Sequence, residues 1–202
     1  MAYEELKGHG VTAETPKNIM LGAGTIHKGF AYTPAEGEVP AAWNFEASLI
    51  GATTGGNKLS IVPEIYNVEV DGAWVKTKGM TVKTGETATL EVNFAELTPE
   101  LVKMALVGAE GTSDVAGLDL IESKATIEAG DYVEDLAFVG KTLDGDPIIV
   151  IFDNALCTSG LELEGKSKEA SSVPLTFECY ADTTDDLRKL PYRIYTPTVA
   201  AG

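Results

Sequence analysis

The chain has 202 residues, 44% of them hydrophobic, with 31 acidic and 15 basic side chains and a formal charge of −16. That length holds one sizeable core or two small ones, and the composition excludes a disordered chain. The charge argues against a nucleic-acid binder, which needs Lys and Arg to replace phosphate counterions.

No apolar run approaches the about 20 residues of a membrane helix. The opening stretch MAYEELKGHG has neither the basic flank nor the apolar core of a signal peptide, so synthesis and retention in the cytosol are expected. Cys157 and Cys179 lie in apolar, strand-like surroundings and read as small buried side chains. Between Glu110 and Asp153 the only bases are Lys124 and Lys141, against a dense series of acids.

In chain order, residues 1–18 are polar and without period, an arm. NIMLGAGTIHKGFAY reads as a strand bent at its glycines. TPAEGEVPAAW, Thr33 to Trp43, reads as loop; the irregular region runs from 31 to 57, with a short strand around Trp43–Glu46. So long a segment inside one domain is functional or is ordered by a partner.

Tyr66, Val68 and Val70 alternate with Asn67 and Glu69, and Asp71-Gly72 follows, the signal of a tight hairpin. Ala88, Leu90, Val92 and Phe94 alternate with polar residues as a half-buried strand. LTPELVKMALVG switches to helical period: Thr98 caps, Pro99 occupies the first turn, Leu101, Met104 and Ala105 share a face, and Gly108 ends it. Strands are then expected from Ile121 to Ile127, on either side of Asp144-Gly145, at GLELEG, from Val173 to Cys179, and at PYRIY. PIIVIFD is apolar on both faces and reads as an interior strand. The sum is a mainly β, antiparallel sandwich or barrel with one flanking helix, in a single domain of residues 19–197 between the arm and a tail of 198–202.

The glycine-rich IGATTGGNKLSI raises the question of phosphate. A Walker loop needs Gly-Lys-Ser/Thr and a following helix; here Gly56 is followed by Asn57, Lys58 and Leu59, then by a strand. Gly22-Ala23-Gly24 lacks the third glycine of a dinucleotide fingerprint, since His27 stands there. His9 and His27 have no metal-pair spacing, and no Gly-x-Ser-x-Gly elbow exists. Asp182, Asp185 and Asp186 lack calcium-loop spacing and read as a capped turn. No catalytic residue, cofactor or metal is expected.

The segments NIMLGAGTIHKGF, IGATTGGNKLSIVPEIYNVEVDGAWVKTKG, LTPELVKMAL, DYVEDLAFVG and NALCTSGLELEGKSKEASSVPLTFECYAD, in this order over residues 17–197, resemble the major tail (tail tube) proteins of long-tailed bacteriophages. The resemblance implies a β-sandwich with a flanking helix and a virion-tail location after assembly in the host bacterial cytoplasm. Subunits form hexameric rings that stack into the hollow tube carrying DNA from capsid to host. Its partners would be other copies of itself and the tail terminator, tape measure and distal tail proteins. DNA would pass without specific binding, and no membrane would be involved.

In that family an extended loop and the terminal arms join neighbouring subunits. This implies an inter-subunit role for Thr33, Pro34, Pro40, Trp43, Thr53, Thr54, Gly55, Gly56 and Asn57. A lumen that lets phosphate slide needs like charge, and Glu69, Glu91, Glu122 and Glu128, on the polar sides of alternating stretches, are the expected lining. The tube subunit of a headless tail-like bacteriocin, a carbohydrate-binding β-sandwich, and a hydrolase built on an unrecognised carboxylate pair are the alternatives.

Overall fold

A seven-stranded antiparallel sheet organises the chain, seen in a computed structural model that describes residues 10–165, 167–168 and 171–198. Its strands are β1 (Met20–His27), β4 (Lys58–Asn67), β5 (Thr81–Phe94), β8 (Val133–Thr142), β9 (Pro147–Cys157), β10 (Val173–Cys179) and β11 (Tyr192–Tyr195). They run in the order β1-β8-β9-β10-β5-β4, with β11 also on β9. Two small ribbons lie apart from this sheet: β2 (Tyr32–Thr33) with β3 (Ala42–Trp43), and β6 (Ala109–Gly111) with β7 (Leu120–Glu122). Among the described residues the helices are α1 (Thr15–Asn18), α2 (Phe45–Ser48) and α3 (Pro99–Leu106), with a 3-10 turn at Ala129–Asp131.

The core follows from alternation. Ala88, Leu90, Val92 and Phe94 of β5 and Val173, Leu175, Phe177 and Cys179 of β10 turn inward, in register across the pair. They meet Leu136 and Phe138 of β8, Val150 and Phe152 of β9, and the buried stripe Leu101, Met104 and Ala105 of α3. Strand β9 is the centre of the sheet, paired with β8 on one edge and with β10 and β11 on the other. Its Ile149 and Ile151 pack with Ala137 and Phe30 in a second cluster, so both faces are covered. That is why PIIVIFD carries no polar alternation. The β8–β9 hairpin turns at Asp144-Gly145 as expected.

Strand β1 bends where its register against β8 shifts, between Leu21 and Thr25. Gly24 there has φ +73°, and a Cβ would lie 2.5 Å from the Phe138 ring, so only glycine fits.

Helix α3 starts as its sequence dictates. Thr98 Oγ1 accepts a hydrogen bond from the Leu101 N–H at 3.2 Å, behind Pro99. It ends differently. The left-handed residue is Val107, φ 49°, a strained conformation for a β-branched side chain. Gly108 is required for another reason: a Cβ would stand 2.9 Å from the Glu122 carbonyl and 3.0 Å from Ile121.

Five expectations are corrected. Residues 33–43 are not simple loop, because Tyr32 pairs with Trp43 and Thr33 with Ala42. The short strand around Trp43–Glu46 gives way after Trp43 to α2, opened at Asn44. Asp71-Gly72 makes a turn but not the hairpin; β4 and β5 join through residues 68–80, with the Val68 N–H bonded to the Met80 carbonyl. The strand expected from Ile121 to Ile127 is only the last part of β7, because the chain then turns into the 3-10 segment. GLELEG is not a strand; alternation without a neighbouring strand to pair with makes none.

Candidate assembly surface

Strands β4 and β5 pair over ten positions, from Lys58–Glu91 to Asn67–Thr81, but the core reaches only part of that length. At the base, Glu86 is nearly buried: it accepts a hydrogen bond from Tyr192 of β11 at 3.2 Å and pairs with Lys83 at 2.7 Å. The Lys83 ammonium, assisted by Tyr192 and opposed by burial, holds the Glu86 carboxyl below the usual range. Beyond Glu86 the ribbon leaves the body. From Glu86 to Thr81 it extends about 17 Å at the rise of a strand, and the 68–80 connection lies beyond.

Apolar side chains crowd this projection. Ile65, Tyr66, Val68, Val70, Val75 and Val82 are all exposed, as is Val62 at the base opposite Thr87, and Trp74 at the tip is 96% exposed. Tyr66 and Val82 are opposite one another and share a face. A domain does not normally leave so many neighbouring apolar side chains uncovered in water.

The tip is also electrically unlike the rest. Between Gly72 and Lys83 there are three lysines and no acid, in a chain of charge −16.

A cleft of about 660 Å3 opens between α3, the β6–β7 ribbon and residues 130–133. Ion pairs border it: Lys28–Glu100 at 2.6 Å and Lys103–Glu110 at 2.8 Å. Asp131 pairs with Lys124 at 2.6 Å and accepts the Glu128 N–H at 2.7 Å, which together hold its carboxyl low.

The segment from 31 to 57 divides in two. Residues 31–42 are exposed throughout, Thr33, Pro34 and Pro40 among them. Trp43 stacks on the buried Phe30 at 4.9 Å and meets Tyr195 edge-on at 5.4 Å. Behind it the chain is tied down. Asn44 bonds the backbone of Gly29 and Ala31, and the Ser48 hydroxyl lies 2.9 Å from Nδ1 of buried His27. Ser48 donates to the Asn44 carbonyl at 2.7 Å, so it accepts from Nδ1–H, and Nε2 accepts from Thr25 at 2.8 Å. Burial pushes the His27 pKa down.

Thr53, Thr54, Gly55, Gly56 and Asn57, the rest of the implied inter-subunit loop, are bonded to their own chain. The Thr54 N–H bonds the Asn93 carbonyl at 2.8 Å, Thr53 bridges Phe94, Asn93 donates to the Gly56 carbonyl, and Asn57 donates to the Ala23 carbonyl. The glycines let the segment hug β5.

The four acids are not brought together. Glu91 alone stands on the main sheet, offset by Lys58 at 2.5 Å. It shares the outward face with Thr89, Thr176, Ser60 and Glu178. Glu69 is in the 68–80 connection, Glu122 in β7, and Glu128 caps the 3-10 turn. The alternation that placed Glu69 and Glu128 on strands is therefore overturned. Asp182 caps a turn by accepting the Thr184 N–H. Among the described residues, no cluster of His, Cys, Asp and Glu is placed to hold a metal, and no helix is long and apolar enough to cross a membrane.

No family model and no curated protein matches the chain.

Both cysteines are buried, and burial with nearby carboxylates pushes the Cys179 thiol up to about 12, a packed side chain and not a nucleophile. The ribbon's projection was missed in the sequence. Two signals point to it: an acid-free run of lysines in an acidic chain, and Trp74-Val75 next to a turn.

Proposed function

We propose that this chain is a structural subunit that polymerises as stacked, hexameric rings into a hollow tube. It is the major tail protein of a long-tailed phage or of a related tail-like particle, and it carries out no catalysis and takes no cofactor. The observation that carries the reading is the β4–β5 ribbon, which extends past its own core with Val62, Ile65, Tyr66, Val82 and Trp74 uncovered. Such a ribbon has nothing to pack on in the monomer, and neighbouring copies would supply the cover. The order of segments that resembles tail tube proteins supports the same conclusion.

The strand path ends at β1 and β4, which are therefore the edges available for pairing between subunits. The outward face of β4, β5 and β10, with Glu91 and Glu178 among hydroxyl side chains, is the surface offered to the channel. It is polar enough to stay wet and has too few cations to hold phosphate. Terminator, tape measure and distal tail proteins would meet the ends and bore of the tube.

The recess of about 360 Å3 beside Trp43 and Tyr195 is the feature closest to a sugar platform. The Trp43 ring is already stacked on Phe30, so a carbohydrate-binding reading is the weaker one.

Sedimentation velocity of the wild type beside Ile65→Glu tests the proposal. The wild type should form large species with rising concentration, and the variant should keep the monomer's melting temperature yet fail to assemble. An Ile65→Glu variant that assembles like wild type would show that the ribbon is not a contact.

A further inference from the structure

The ribbon tip and the cleft beside α3 carry opposite unpaired charges, and the cleft is large enough for the tip's indole. We infer that the tip around Trp74 of one copy docks in the α3/β6–β7 cleft of the next. This inference rests on the polymerisation reading and names the contact.

The tip supplies an indole and two cations. Trp74 is 96% and Val75 78% exposed, and Lys76 and Lys78 make no ion pair among the described residues. The cleft supplies the opposite. Its volume of about 660 Å3 admits an indole, and Met104, Ile121 and Tyr132 give it an apolar lining. Asp119 lines its mouth, and Asp114 follows the lining residue Ser113; neither carboxylate has a cationic partner among the described residues. Among the described residues the chain thus carries unpaired cations beside an uncovered indole at one place, and unpaired acids beside an open cleft of mixed polar and apolar lining at another.

Trp74 does not reach the cleft of its own chain, as its exposure shows, so a second copy is the occupant. A knob and a hole at different places on one chain make a heterologous contact, which closes into a ring or grows as an open stack. An isologous dimer would not need both.

Charge reversal in the full-length protein tests the contact by sedimentation equilibrium. Lys76→Glu with Lys78→Glu, and separately Asp114→Lys with Asp119→Lys, should each weaken self-association by about tenfold or more; the four changes together should recover it to within about threefold of wild type. All four side chains stand on exposed residues, and unchanged melting temperatures show that the variants fold. Association unaffected by either pair, or a combined variant as weak as the sum of the two, overturns the tip-in-cleft contact while leaving polymerisation intact. A wild type that stays monomeric at every concentration overturns the polymerisation reading, and this contact with it.

Discussion

Replacing Trp74 by alanine should separate folding from assembly. In the single chain the indole is 96% exposed, so its removal takes no packing from the core. The connection around it is held by backbone hydrogen bonds, Val68 N–H to Met80 and Ala73 N–H to Val70, which the substitution leaves in place. The unfolding free energy should change by less than about 0.5 kcal/mol, a Tm shift below about 2 °C at this chain length. Between subunits the same side chain matters more. Covering an aromatic removes about 150–250 Å2 from water, roughly 4–6 kcal/mol at 25 cal/mol per Å2. Ordering and imperfect pairing reduce this to the roughly 2–4 kcal/mol of an interface hot spot, or about a 30- to 900-fold rise in dissociation constant. Scanning calorimetry and sedimentation equilibrium on the same preparations read the two quantities. At a concentration where both proteins are monomeric, a Tm lowered by more than about 4 °C would show that Trp74 belongs to its own fold. An unchanged association constant would show that the tip is not an interface.

Three further outcomes are expected. His27 is buried and its pKa is lowered from 6.5, so below pH 6.5 the unfolded chain binds more protons than the folded one. Its contribution to stability is full above that pH and is lost as pH falls toward the folded value. The lowered carboxylates such as Glu86 lose theirs only below 4.5. Thermal melts should therefore show a decline that begins as pH falls below 6.5, before the carboxylates titrate, and that His27→Gln abolishes; a variant with the same slope would assign it elsewhere. Gly108→Ala should cost about 1–3 kcal/mol in urea denaturation, because the new methyl meets the Glu122 carbonyl; no change would mean that β7 shifts freely. Replacing residues 34–41 by Asn-Gly keeps the Thr33–Ala42 pairing and should leave the melting temperature unchanged while blocking long tubes in electron micrographs; normal tubes would exclude this hairpin as a connector.

Much of the fold was legible because alternation and burial coincide where a strand lies on the core. Strands β5 and β10, the β8–β9 hairpin, the two-sided β9 and the cap and stripe of α3 all follow that rule. The rule failed where a strand leaves the core. Tyr66, Val68 and Val70 alternate as if one side were covered, yet all three are exposed in the single chain. On the assembly reading, their pattern records contacts made by another copy. Short elements were missed for a different reason: α2 is four residues, too few for a period to register, and its place is set by Asn44 and Ser48 bonding back to β1 and its neighbours. The GATTGGNK segment has no apolar period to mark its place. Backbone hydrogen bonds to Asn93 and Ala95, which leave no mark on side-chain pattern, hold it in place. The acids were misplaced with the strands that were to carry them, and only Glu91 stayed on the sheet.

The most direct test is negative-stain electron microscopy of the purified wild-type protein over a concentration series. Rings are expected at intermediate concentration and hollow tubes of uniform diameter at high concentration. A monodisperse monomer at every concentration would contradict polymerisation.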